Sequence, residues 1–250
     1  MFMVADLPLS GRNVLVTRPQ QQAETLADMI TQQGGEAISF PVIQINKLDG
    51  GSEMNDRLLD TDIIIFVSRN AVQYFFNDAE REIPESTTVV AVGKGTAEVL
   101  NQYSVTDVSH PSQAVGSEGV LMMPELENVL DNKIVIVRGR GGRELLANTL
   151  TARGAKLSYI EVYERVLASP TDEQCKQALT ADIIVCTSVA GVTNLTVLLK
   201  QDIGEVLLTP LIVLSERIKQ HAFTLGFKKV IVSSDANDHA IMQRLVEMES

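Results

Sequence analysis

The chain has 250 residues, 45% of them apolar and 21% charged, which excludes a disordered or fibrous protein and supports a packed globular core. Its 21 Lys and Arg against 32 Asp and Glu leave a net charge of −11, which argues against duplex nucleic acid held on a broad basic face. A small anion in a local pocket is not excluded by that charge. The first apolar run, 14–16, predicts a strand, and Pro19 suits the first turn of a helix. Ala23, Leu26, Ala27 and Ile30 then follow at helical spacing, and Gly34 ends that helix. Residues 37–48 are extended and rich in β-branched side chains. The apolar run 63–67 predicts a buried strand, and Ser68 a cap on the helix after it. A further strand precedes Gly93-Lys94-Gly95-Thr96. The run from 134 leads into Arg138-Gly139-Arg140-Gly141-Gly142-Arg143, followed by a helix with Leu146, Ala147 and Leu150 on one face and Gly154 as its stop. Residues 155–167 are again extended, 183–186 predict a strand capped into a helix by Ser188, and 211–214 a strand leading to Ser215. Strands alternating with helices imply parallel sheets covered on both faces.

The chain contains itself twice. Aligning 14–46 on 134–166, a shift of 120, repeats Arg18 at Arg138, Glu24 at Glu144, Leu26 at Leu146, Ala27 at Ala147, Thr31 at Thr151, Gly34 at Gly154 and Val42 at Val162. The same shift sets 62–72 (DIIIFVSRNAV) on 182–192 (DIIVCTSVAGV) without a gap. A third block, 89–100 on 211–222, agrees in pattern at a shift of 122.

Parallel sheets bind ligands beyond the carboxyl ends of their strands, where helix N-termini present free N–H groups to anions. The corners here hold Arg18, Ser68, Arg69, Asn70, Lys94, Thr96, Arg138, Gly139, Arg140, Arg143, Ser188, Ser215 and Arg217. A net acidic chain thus gathers positive charge at its strand ends. Pairing with carboxylates such as Glu24 and Glu144 is the alternative for each arginine, and helix capping the alternative for Ser68 and Ser188. No complete GxGxxG or GxxxxGK[ST] occurs, and His110, His221 and His239 are scattered. Cys175 and Cys186 form no CxxC pair, so neither a metal site nor a disulfide framework is expected. The amino-terminal stretch has no basic region followed by an apolar one, and the apolar runs are far shorter than the ~20 residues of a membrane span, so a cytoplasmic protein is expected. On these residues the chain is a two-lobed binder of a small polyanion, its reaction open.

The ordered segments VLVTRP, GGEAISFPVIQI, IFVSRNAV, VVAVGKGTAEVL, VRGRGGRELL, GAKLSYIEVYERV, CTSVAGV, LIVLSERIKQHA and LGFKKVIVSSDA, spread from Arg12 to Leu245, resemble the uroporphyrinogen-III synthases. The resemblance implies a monomeric lyase of haem and sirohaem biosynthesis that needs no cofactor or metal. Such an enzyme closes the linear tetrapyrrole hydroxymethylbilane into uroporphyrinogen III, inverting ring D with loss of water. It also implies an α/β fold of two similar lobes, each a parallel sheet flanked by helices, joined by a two-stranded β connector. By that analogy 1–38 and 168–250 form one lobe and 43–162 the other, with 39–42 and 163–167 as connector strands. The substrate's eight carboxylates would give the corner residues their purpose.

Tyr163 matches a cleft tyrosine proposed in the family as the general acid, and a phenol is a proton donor at neutral pH. Its partner in the repeat is Ile43, so the two copies differ there. Thr96 matches a family threonine, whereas another family threonine falls on Ile218. Transient contact with hydroxymethylbilane synthase is a further expectation. The competing reading is a non-catalytic two-lobed receptor for a small polyanionic metabolite.

Overall fold

The computed structural model describes residues 7–48, 58–77, 81–112, 116–142 and 144–248. Its strands are β1 (Asn13–Val16), β2 (Glu36–Ser39), β3 (Ile43–Lys47), β4 (Ile63–Phe66), β5 (Thr88–Ala91), β6 (Val108–Ser109), β7 (Lys133–Gly139), β8 (Lys156–Leu167), β9 (Ile183–Val185), β10 (Leu211–Val213) and β11 (Val230–Val232). The chain divides into two compact units, Met1–Gln44 with Val166–Ser250, and Ile45–Arg165. The backbone passes between them inside β3 and again inside β8.

In the first unit the strand order is β11-β10-β9-β1-β2, and every pairing is parallel. Numbered within the unit this is 2-1-3-4-5, a doubly wound order that reverses between β1 and β9. Alternate residues face opposite sides of a strand. Val14, Val16, Ile183 and Val185 accordingly pack into one apolar cluster and Leu15, Ile184, Leu211 and Val213 into another. Both faces of the sheet are therefore buried, which is why these strands are apolar throughout rather than alternating.

The second unit repeats the plan. Its sheet runs β3-β8-β7-β4-β5-β6, with β8, β7, β4, β5 and β6 parallel and the reversal between β7 and β4. Ile64, Phe66, Val135 and Val137 fill one side, and Ile63, Ile65, Ile134 and Ile136 the other. Around β3 and β8, Leu48 N donates to Val162 O (3.0 Å) and Ala168 N to Val42 O (3.4 Å). One chain advances as the other retreats, the mark of an antiparallel pair.

The first helix, Gln20–Gln32, follows Pro19 and buries Ala23, Leu26 and Ile30. It stops at Gly34 (φ 84°), and the repeat-related helix Leu145–Ala152 stops at Gly154 (φ 89°). Each end is closed alike: Gly34 N donates to Thr31 O and Gly35 N to Ile30 O, as Gly154 N does to Thr151 O and Ala155 N to Leu150 O. The two predicted caps form as well: Ser68 Oγ accepts from Ala71 N at 3.0 Å and Ser188 Oγ from Gly191 N at 2.9 Å. Ser215, not predicted as a cap, accepts from Ile218 N at 3.4 Å. Short parallel strands and capped helices thus bring the corner residues to the carboxyl edge of each sheet.

Candidate functional site

In the second unit the residues predicted as ligands stand at the carboxyl ends of β4, β5 and β7, either side of the point where the strand order reverses. Ser68, Arg69 and Asn70 open the helix Arg69–Phe76 after β4, and Lys94 and Thr96 the helix Lys94–Gln102 after β5. Arg138 and Gly139 end β7, with Arg140 next. A cavity of about 200 Å³ lies at this edge, and Ser68, Arg138, Gly139 and Tyr163 line it together with Tyr159 and Arg165. Arg69, Asn70, Lys94, Thr96 and Arg140 lie outside that lining. Arg143 falls outside the described residues.

Tyr163 is only 2% exposed. Its hydroxyl lies 3.3 Å from Ser68 Oγ and accepts from Arg165 Nη2 at 3.1 Å. Its ring fills the space over Gly139, where a Cβ would come within 2.4 Å of Tyr163 Cε2. A register shift between Arg138 and Gly139 sets Gly139 opposite Tyr163, where an unbroken register would place it opposite Val162, and Arg140 N donates to Tyr163 O at 2.7 Å. Tyr74 packs beside Tyr163 with ring centroids 5.5 Å apart. The phenol is thus fixed from three sides, and its oxygen faces a neutral hydroxyl and a cation.

Beside it, the Arg138 guanidinium lies 3.9 Å over the Tyr159 ring and pairs with Glu144 at 2.8 Å. Glu161 stands farther away, at 3.4 Å. Burial and the hydrogen bond to Glu144 push the Tyr159 phenol up to about 12, so it stays a donor. Hydrogen bonds from Tyr159 and Arg138 hold the Glu144 carboxyl below the usual carboxylate range. Arg140 pairs with Glu164 at 2.9 Å, and the Arg69 guanidinium lies against Gly95. Thr96 is buried, whereas Lys94 is exposed and 4.0 Å from Glu98.

In the first unit Arg18 follows β1, Ser188 follows β9, and Ser215 and Arg217 follow β10. Arg18 pairs with Asp238 at 2.5 Å, although its repeat equivalent Arg138 takes Glu144. Arg217 is exposed in the first turn of the helix Glu216–Thr224. Cys175 and Cys186 are free thiols, and burial pushes the Cys186 thiol up. Among the described residues no group of three His, Cys, Asp or Glu side chains is placed to hold a metal ion, and no helix is long and apolar enough to cross a membrane.

Reading the sequence alone overlooked Tyr159, Arg165 and Tyr74. Tyr159, Glu161, Tyr163 and Arg165 recur at every second position of one extended run, and polar and aromatic side chains at that period are the signal that points to them.

Two doubly wound units, one with a strand-end cavity that holds a buried phenol beside two arginines, define an α/β protein with its candidate site at the carboxyl edge of a parallel sheet. Residues 24–243 match the family model described as uroporphyrinogen-III synthase HemD. The uroporphyrinogen-III synthase of Escherichia coli (strain K12) is 31% identical over 244 residues, covering 93% of this chain and 99% of that protein. That of Salmonella typhimurium is 32% identical over 256 residues, with the same coverage of 93% and 99%. The chain therefore belongs to the uroporphyrinogen-III synthase family, a family of lyases. The fold agrees: the crystal structure of uroporphyrinogen-III synthetase from Helicobacter pylori superposes with a TM-score of 0.65 at 14% identity, covering 95% of this chain and 99% of that one. A mutant uroporphyrinogen III synthase from Thermus thermophilus gives 0.58 at 14%, covering 95% and 100%.

Proposed function

We propose that this chain closes hydroxymethylbilane into uroporphyrinogen III, with inversion of ring D and loss of water. The observation that carries this reading is the family match along nearly the whole chain, at 31% and 32% identity to two named synthases. The receptor alternative has no comparable support.

Tyr163 is the proton donor in this reading. The ring A hydroxymethyl oxygen departs with the phenol hydrogen as water, leaving an azafulvene cation and a Tyr163 phenolate. Ring D attacks that cation through the α-carbon that already carries its bridge to ring C, giving a spiro intermediate. The old bridge bond then breaks and re-forms at ring D's free α-carbon, which inverts the ring, and the proton lost from that carbon as the pyrrole regains aromaticity returns to Tyr163. A positioned acid contributes typically ~10²–10⁴-fold, and holding the two chain ends together can supply a further ~7–11 kcal/mol.

Carboxylate arms of the substrate are held at the strand ends. Arg69, Lys94 and Arg217 offer exposed cations. Ser68, Asn70, Thr96, Ser188 and Ser215 stand where helix N-termini offer N–H groups, and Gly139 serves the substrate by making room for the Tyr163 ring at the cavity wall. Arg18, Arg138 and Arg140 meet a substrate carboxylate in exchange for Asp238, Glu144 and Glu164. The lobes are 1–38 with 168–250, and 43–162, with 39–42 and 163–167 connecting them. The protein works as a cytoplasmic monomer without a cofactor, in transient contact with hydroxymethylbilane synthase.

Incubating the purified protein with hydroxymethylbilane and resolving the type I and type III isomers tests the reaction. Type III product supports it; type I alone, the result of unassisted closure, returns the receptor reading. Tyr163→Phe is expected to slow type III formation at least tenfold with an unchanged melting curve. Wild-type turnover in that variant removes Tyr163 from the acid role.

A further inference from the structure

The repeat and the cavity converge on a second residue. At the shift of 120 that pairs Tyr163 with Ile43, Arg165 pairs with Ile45. The polar pair therefore replaces an apolar pair in the other copy, two residues apart on one strand. Ser68, by contrast, has its equal in Ser188, and both cap helices, so the serine is common to the two corners and the Tyr163–Arg165 pair is peculiar to one. Arg165 Nη2 donates to the Tyr163 hydroxyl oxygen at 3.1 Å, and its guanidinium carbon lies 5.2 Å from the ring centroid. Arg165 can only donate. The phenol oxygen must therefore accept from it, and the phenol hydrogen is left to point elsewhere: toward Ser68 Oγ, in a pair where either oxygen can donate, or toward a bound ligand.

We propose that Arg165 is a positioning residue for Tyr163: it orients the phenol hydrogen into the cavity and stabilises the phenolate left when that hydrogen departs. The inference rests on the reading of Tyr163 as proton donor. A cation at hydrogen-bond distance favours the charged form of an acid, and it does so most where the surroundings exclude water. The bland alternative is that Arg165 is one more clamp for a substrate carboxylate, and the two predict different kinetics. An interaction made only as the proton leaves lowers kcat, whereas a clamp engaged throughout raises KM.

Steady-state formation of the type III isomer by Arg165→Gln, Arg165→Lys, Tyr163→Phe and the double variant Tyr163→Phe/Arg165→Gln separates them. The expectation is that Arg165→Gln loses at least tenfold in kcat with KM within about twofold of the parent. Arg165→Lys, which keeps the charge, should recover part of the loss and serves as the reading if the neutral variant fails to fold. The double variant should be no slower than Tyr163→Phe alone, because without the phenol hydrogen Arg165 has nothing left to orient. A raised KM with unchanged kcat, a wild-type Arg165→Gln, or losses that multiply in the double variant each overturn the inference. A wild-type Arg165→Gln beside a slow Tyr163→Phe leaves the acid assignment standing; a wild-type Tyr163→Phe removes both.

Discussion

Gly139 keeps open the space that the Tyr163 ring occupies, and its contribution can be separated from backbone effects. A Cβ there would meet Tyr163 Cε2 at 2.4 Å and Cζ at 2.5 Å, atoms of a rigid buried ring and not the end of a flexible chain. Because Gly139 does not occupy the left-handed region, alanine adds contact without strain at that residue. Gly139→Ala is therefore expected to displace the phenol and slow type III formation tenfold or more, while in a Tyr163→Phe background it should slow it little further. Steady-state assays of the four combinations, with melting curves, check this. Gly139 and Tyr163 were each legible as candidates in the sequence, but their contact was not. Strict alternation continues the pairing of Arg138 with Glu161 by setting Gly139 against Val162, and the register shift moves it to Tyr163. Long-range pairing was equally hidden. Glu144, six positions from Arg138, could be named in advance, whereas the partner of Arg18 is Asp238, 220 positions away.

At the scale of the element, the helix stops were the most legible features because their physics is local. Gly34 and Gly154 adopt left-handed backbone, and the added Cβ would also press on Leu7 Cβ at 2.9 Å and Leu130 Cδ1 at 2.6 Å. Gly34→Ala and Gly154→Ala should each lower stability by roughly 1–2 kcal/mol or more in urea denaturation. Gly93→Ala is the control. Its φ of 175° is ordinary extended backbone and nothing lies within 4 Å of where an alanine Cβ would sit, so only the loss of a glycine from a helix N-cap remains, and a cost below about 1 kcal/mol is expected. Equal effects at all three positions would detach the stops from their geometry. Elements too short to carry a period escaped the sequence reading: β6 has two residues and the helix Gly116–Leu121 six. Neither length permits a hydrophobic stripe or an alternation to be recognised.

For the whole molecule, the duplication was plain in the sequence while its assembly was not. The shift of 120 maps β1 onto β7 and β4 onto β9, yet β1 pairs with β9 and β7 with β4. Each sheet thus joins the first strand of one copy to the later strands of the other. A repeat records which segments are alike and carries no information about which copy they pair with, so the exchange could be expected only from the family resemblance. Each unit nonetheless buries its own apolar clusters on both sides of its own sheet, which makes each a candidate for a separate cooperative step in unfolding. Ile64 is fully buried in the second unit, and Ile64→Ala should lower that unit's stability by about 2–5 kcal/mol. Hydrogen exchange followed by residue is the discriminating measurement. If the units open separately, amides of β4, β5 and β7 lose protection in this variant while those of β1, β9 and β10 keep theirs. A uniform loss across both sets would mean that the chain, crossing twice between its units, unfolds as one.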